Sequence, residues 1–442
     1  MLIYKTMGDI GMKYATISKI IRTKNKIFLK TIDFALVEKE GKKVKILDGD
    51  LFGTETTSFE NPNTISEDST YFASLMSKED QKLLEQVDYH NLRIELLSQN
   101  LFFEVDIKNN TINPSTKATL ALELLKDEIL CQDKKLEELI GALDYNQQLY
   151  NSQISDDAFY KLKKNIIISG PKGVGKTESI IKALTHLELN YSYIDLSKHI
   201  YTAFDESNMD EIIVELLAQV NYDQKEAEKS VIVFDNLDKL SDLMTTDNPG
   251  LLSDYILKMI NTLNDKRVVN IKIENNQESI MQFNKAALTL VFVGDFEKLN
   301  KYTREKTPGY SITEETLTFR EKYEKSPYLK EILDVITNII EYNNLTKSDL
   351  KNILLSSKIS PLYLKQLFYQ EQGCNLDIKE ETIDQIIEEA IKRKNGAKGL
   401  KQVLDEKLNK EDYIALNKLN VTKITLMNQE NRKKVKVRKI TK

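Results

Sequence analysis

From about Lys126 onward, short apolar runs rich in Ile and Val alternate with stretches whose apolar residues recur every three or four positions. Continuous apolar runs suit strands buried on both faces, and the helical period between them suits crossover helices. The pattern therefore predicts an α/β parallel sheet with helices on both sides. Four strands are legible, over residues 166–168, 191–194, 231–234 and 288–293. Beyond about Thr346 the strands give way to helices. Thr346-Lys347-Ser348-Asp349 forms a capping box, and amphipathic segments come after it over 382–392 and 399–408, which predicts a small helical lid. Residues 421–426 and 435–440, separated by Asn428-Gln429-Glu430-Asn431, read as a closing β-hairpin.

The first 115 residues read as a separate α+β unit. Residues 34–37 and 44–47 flank Glu40-Gly41-Lys42 and predict a hairpin. Residues 54–70 hold Pro62 and little apolar content, so a long surface loop is expected there. Ser77-Lys78-Glu79-Asp80 then predicts the start of a helix carrying Leu83, Leu84, Val87 and Leu92. The expected organisation is 1–115 for this unit, 116–345 for the large α/β domain and 346–442 for the lid.

Chemistry enters at the first strand of the sheet. Gly170-Pro171-Lys172-Gly173-Val174-Gly175-Lys176-Thr177 satisfies G-x-x-x-x-G-K-[ST] at every fixed position, after an apolar run and before an amphipathic segment that opens with Glu178. Glycines let a loop wrap closely around a phosphate and aim backbone N–H groups at it. Lys176 adds a cation for the β- and γ-oxygens, Thr177 a hydroxyl for Mg²⁺, and the next helix its positive end. Asp235 closes the apolar run Val231-Ile232-Val233-Phe234, where a carboxylate reaches the same Mg²⁺ directly or through water. ATP with Mg²⁺ is the expected ligand.

Composition narrows the setting. A chain of 442 residues has room for about three domains, and its two cysteines, Cys131 and Cys374, cannot form a thiolate metal cluster. With 63 basic and 68 acidic residues the net charge is −5, which gives no electrostatic case for nucleic acid or anionic membrane. No apolar run approaches the roughly 18 residues of a membrane span, and the start lacks a signal-peptide layout. A cytoplasmic protein is expected. The basic end, including Lys434-Val435-Lys436-Val437-Arg438, alternates at period two and reads as the solvated face of an edge strand.

The acidic strand with the residues just after it, VIVFDNLDKL, resembles that of AAA+ ATPases, and most of all the ClpX-like protein unfoldases. Glu128-Ile129-Leu130-Cys131-Gln132 resembles the family's apolar-Gly-Gln entry box, with Cys131 at the glycine position. Residues 212–230, containing Asn221-Tyr222-Asp223, resemble its helix and link into the acidic strand, and residues 386–408 resemble its lid helix, Gly-Ala-Arg-Gly turn and next helix. The resemblance spans nearly two-thirds of the chain. It implies a homo-oligomeric ring, a hexamer, that remodels or unfolds a protein client with ATP.

The departures bear on turnover. The family's water-polarising glutamate falls at Asn236, and an amide accepts no proton; losing a positioned base costs about 10²–10⁴ in rate. Asp238 is the nearest alternative carboxylate. The arginine finger falls at Ile332, with Arg320 and Lys330 as possible stand-ins, and the lid arginine falls at Lys398, which keeps charge but loses the planar fork. Asp295 is the only candidate for the family's sensor residue. The pore-loop position carries Ala203-Phe204-Asp205-Glu206, so Phe204 is its one aromatic. Two cysteines cannot build the family's Cys₄ zinc module, and the docking loop for the ClpP peptidase shrinks to Pro308-Gly309-Tyr310, so ClpP is not an expected partner. Weak hydrolysis is expected, with a scaffold or switch that binds ATP without hydrolysing it as the alternative.

Overall fold

The computed structural model describes residues 12–40, 43–46, 55–59, 72–74, 102–106, 111–152, 154–198, 206–239, 268–274, 278–297, 299, 317–325, 333, 336–417 and 423–426. The chain divides into two compact units, Met1–Asp127 and Glu128–Lys442.

The first unit is built on β1 (Met12–Arg22), β2 (Ile27–Glu40), β3 (Lys43–Ile46), β4 (Glu55–Phe59), β5 (Phe72–Ser74), β6 (Phe102–Asp106) and β7 (Thr111–Ser115). β1 pairs with β2 along one edge and with β5 along the other, so β1 to β5 close on themselves, while β6 and β7 continue from β2. The expected hairpin is present, with Val37 opposite Ile46 and Glu40 opposite Lys43. The expected loop over 54–70 is corrected in part. Residues 55–59 form β4, where Thr56, Thr57 and Phe59 suit a pleated strand better than their polarity suggests. The helix expected from Ser77 lies outside the described residues. α1 (Lys117–Glu128) ends the unit; its Leu120 packs with Phe28 and Phe102, and both carboxylate oxygens of Asp127 accept the Lys24 N–H at 3.1 Å.

The second unit begins with α2 (Asp133–Tyr150) and α3 (Asp156–Leu162). Its sheet has the order β14 (Asn338–Glu341), β8 (Ile166–Ser169), β13 (Thr289–Val293), β10 (Val231–Asp235), β9 (Tyr191–Asp195), with every neighbouring pair parallel. β8, β10 and β13 are buried along their whole length, because helices cover both faces; this is why they read as unbroken apolar runs. α4 (Lys176–His186), α5 (Glu206–Gln219), α6 (Gln224–Glu228) and α7 (Phe319–Glu324) lie between or after these strands. The fold is the α/β parallel sheet with helices on both sides that the pattern predicts, and it is consistent with the AAA+ P-loop architecture that the resemblance implies. Four strands fall where expected; the fifth, β14, is a short edge strand with only Ile340 fully buried, too brief to show a period. An antiparallel hairpin, β11 (Val268–Glu274) and β12 (Glu278–Asn284), was also not foreseen.

The lid contains α8 (Lys347–Ser356), α9 (Pro361–Glu371), β15 (Asn375–Ile378), α10 (Glu380–Lys392), α11 (Gly396–Asn417) and β16 (Lys423–Leu426). Leu354, Ile386, Ile387, Leu404 and Leu408 form its buried centre. The capping box at Thr346 and Asp349 is present, with Oγ1 of Thr346 accepting the Asp349 N–H at 3.2 Å. The strand expected at 421–426 forms over 423–426, but it pairs in parallel with β15, and the other arm of the expected hairpin lies outside the described residues. Among the described residues, no helix is long and apolar enough to cross a membrane.

Candidate functional site

The carboxyl ends of β8, β13, β10 and β9 stand side by side, the edge at which open α/β sheets hold ligands. The loop from β8 into α4 turns on three glycines with positive φ, Gly170 at 140°, Gly173 at 70° and Gly175 at 96°. Space as well as φ demands glycine at the first two. A Cβ on Gly170 would lie 2.8 Å from Tyr342 O, and one on Gly173 would lie 1.9 Å from Asn395 O. Val174 is buried, Pro171 half-buried, and Lys172 and Glu178 exposed. Lys176 folds into the loop and donates to Gly170 O and Pro171 O, each at 2.7 Å, and to Asp295 Oδ1 at 2.8 Å.

Thr177 and Asp235 meet at the mouth of the loop. The Thr177 hydroxyl donates to Asp235 Oδ2 at 2.9 Å, so the two oxygens chosen from sequence as metal ligands stand together. The same Oδ2 accepts the Tyr193 hydroxyl at 2.7 Å, and Asp235 Oδ1 accepts the Asn236 N–H at 2.7 Å. Burial, reinforced by the Asp235 hydrogen bond, pushes the Tyr193 phenol well above its usual range and keeps it a donor. Sequence reasoning did not select Tyr193. Its one signal is alternation in an edge strand, YSYID, which turns Tyr191 and Tyr193 to one side.

Asn236 takes φ 60°, and its side-chain amide donates to Asp195 Oδ1 at 2.8 Å on the neighbouring strand end. Asp195 also accepts the Ser197 N–H at 3.1 Å and hydroxyl at 2.6 Å. Burial opposes its ionisation, but the Ser197 and Asn236 hydrogen bonds outweigh it and hold the carboxyl below its usual range. Asp238 accepts the Asp295 N–H at 3.1 Å, and burial raises its carboxyl despite that bond. Asp238 therefore supports the backbone beside the loop.

The turn that carries Asp295 has a local cause. A Cβ on Gly294 would lie 2.7 Å from the Phe296 ring and 2.9 Å from Asp238 Oδ1, so both groups approach because the residue is glycine. Phe296, at φ 53°, anchors in the core against Phe319 and Tyr323. Asp295 is left at the tip of β13, between the loop strand and the Asp235 strand.

The lid closes over the same loop. The Ala397 N–H donates to Gly173 O at 2.8 Å, and Lys398 is exposed in the first turn of α11. From the other side, a Cβ on Gly175 would lie 3.3 Å from Ile129 Cγ2. Cys131 holds φ 67°, which gives a physical reason for glycine at that position in the family. The Gln132 side chain clamps the backbone of Asn343, donating to its O at 3.0 Å and accepting its N–H at 3.1 Å. Arg320 is exposed and faces Glu324 at 3.3 Å. Phe204, Lys330, Ile332, the Pro308-Gly309-Tyr310 segment and the basic end lie outside the described residues.

The site suits a magnesium-bound polyphosphate: a cradle that Cβ atoms would fill, a buried ammonium inside it, and a hydroxyl and carboxylate adjacent at its mouth. Residues 166–304 match the family described as "ATPase family associated with various cellular activities (AAA)". The chain is 22% identical to the "ATP-dependent Clp protease ATP-binding subunit ClpX" of Treponema denticola over 307 residues, 63% of this chain and 73% of that protein. It is 20% identical to the protein of the same name from Porphyromonas gingivalis, over 64% of this chain and 74% of that one. For Bacteroides fragilis the figures are 21%, 60% and 69%.

Proposed function

The chain is a AAA+ ATPase of the ClpX-like kind, and from that premise we propose that it binds ATP with Mg²⁺, assembles as a homo-oligomeric ring, a hexamer, and remodels a protein client with weak hydrolysis. The observation that carries the reading is Lys176 inside its glycine cradle with Thr177 Oγ1 on Asp235 at 2.9 Å. Lys176 exchanges carbonyl partners for phosphate oxygens. Thr177 and Asp235 would hold the cation, with Tyr193 fixing Asp235, and the cation would supply charge neutralisation to the bound polyphosphate. The lid turn at Gly173 makes lid position sensitive to what fills the loop, the coupling a remodelling motor needs.

Assembly is supported by α9, which leaves Tyr363, Leu364, Leu367 and Phe368 exposed at one-turn spacings. The free thiols Cys131 and Cys374 suit a reducing cytoplasm. We do not assign ClpP, a membrane or nucleic acid as a partner. The second reading, an ATP-binding scaffold without hydrolysis, is favoured by the engagement of the Asn236 amide with Asp195.

The deciding experiment is calorimetric titration of ATP with Mg²⁺ into wild type and Lys176→Ala, with mass measurement of each. Wild type should bind and grow in mass, and the variant should do neither. Equal affinity in the two would refute the reading.

A further inference from the structure

Resting on that reading, we propose that Asp295 is the proton-accepting carboxylate of ATP hydrolysis in this chain. The family position for that group holds Asn236, whose amide is turned onto Asp195 at 2.8 Å. Of the carboxylates near the strand ends, Asp295 pairs with the phosphate-binding ammonium, Lys176 Nζ, at 2.8 Å. Asp235 is committed to Thr177 and Tyr193, Asp195 to Ser197 and Asn236, and Asp238 to the Asp295 backbone. Asp295 also follows the end of β13, the strand between β8 and β10, and its side chain meets the loop at Lys176. Its backbone is held from both sides, by Asp238 and by the seating of Phe296 in the core.

When the Lys176 ammonium turns to the phosphates, Asp295 Oδ1 loses its cation partner and becomes a free acceptor. The oxygen of a water then bonds to the γ-phosphorus and gives a proton to the Asp295 carboxylate. The bond from that phosphorus to the β,γ-bridging oxygen breaks, its electron pair stays on ADP, and the proton leaves to solvent with the released phosphate. The ion pair thus keeps the base occupied until nucleotide arrives.

The test uses the full chain, comparing steady-state turnover with calorimetric ATP and ADP affinities for wild type, Asp295→Asn, Asp295→Glu and Asp195→Asn. Asp295→Asn should lose about 10²–10⁴ in turnover. Its affinity for ATP relative to ADP should rise about tenfold, because a negative charge facing the γ-phosphate is removed. Asp295→Glu keeps the charge and the lysine pairing, and should turn over well above Asp295→Asn; it also serves as the folded control. Turnover unchanged in Asp295→Asn, equal turnover in the Asn and Glu variants, or turnover lost only in Asp195→Asn would overturn the proposal. Wild type that binds ATP without measurable turnover would overturn it while leaving nucleotide binding intact, and wild type that binds no ATP would overturn both readings.

Discussion

Gly173→Ala tests whether the lid rests on the loop through backbone alone. A methyl at this position would stand 1.9 Å from Asn395 O, 2.7 Å from the Asn395 carbonyl carbon and 3.1 Å from Gly396 Cα. All three are backbone atoms of the lid turn, so no side chain can swing aside. Holding alanine at φ 70° costs about 1 kcal/mol or somewhat more. Relieving the overlap pushes the turn away and breaks the 2.8 Å hydrogen bond from Ala397 N–H to Gly173 O, worth about 1 kcal/mol. The sum, about 2–3 kcal/mol, corresponds to about a 30- to 150-fold loss of the lid-seated state. ATP titration by calorimetry and thermal melting would both register it. Gly141→Ala is the matched control: Gly141 lies in α2 with nothing within 4 Å of its added Cβ, and the change should stabilise by about 0.5–1 kcal/mol. If Gly173→Ala binds ATP within twofold of wild type and melts at the same temperature, the lid does not seat on the loop this way.

Cys131→Gly relieves a left-handed residue at φ 67° and should stabilise by about 0.5 kcal/mol in denaturant melts; a loss would mean that the thiol's 3.8 Å contact with Asn352 Nδ2 outweighs backbone strain. Lys163 is buried and donates to Ala286 O at 2.5 Å and Leu288 O at 2.7 Å, and burial pulls its pKa from 10.5 to about 7. Between those values the unfolded chain binds more protons than the folded one, so this group's contribution to stability rises with pH across the window. Against Lys163→Met, the wild-type advantage should therefore grow from pH 7 to about pH 10; a pH-independent difference would show that Lys163 stays charged in the fold.

The central sheet was legible because its strands are buried on both faces, so β8, β10 and β13 carry unbroken apolar runs. β14 was not, since an edge strand of four residues with one buried side chain has no period to detect. β15 was hidden for the same reason, and with it the partner of β16. In the site, the loop and Asp235 were readable because a fixed spacing is a backbone requirement: Gly170 and Gly173 answer to Tyr342 O and Asn395 O. Tyr193 was not readable, and the lid turn, although the resemblance placed it, was not readable as the seat of Gly173. Their roles depend on strand order and lid closure, which local spacing does not encode.

Strand order also explains why a reading made along the chain takes Asp295 as a sensor candidate and not as the carboxylate paired with Lys176. In sequence Asn236 comes directly after the Asp235 ligand, which draws attention to the amide, whereas β13 comes much later. In the sheet β13 lies next to β8, with Val293 opposite Ile168, and β10 lies one strand further out, with Phe234 opposite Phe292. A carboxylate after β13 is therefore one strand nearer the loop than anything placed after β10. An acid at position 236 would set its charge next to Asp235 on one strand end and beside Asp195, which already faces that position. With the amide there, Asn236 donates to Asp195, and Asp295 is the carboxylate opposed by the Lys176 ammonium, at 2.8 Å. The exchange of amide and acid between two strand ends thus leaves Asp195, Asp235, Asp238 and Asp295, among the described residues, each supplied with a donor, which is the condition for holding these four around a site that must also admit phosphate.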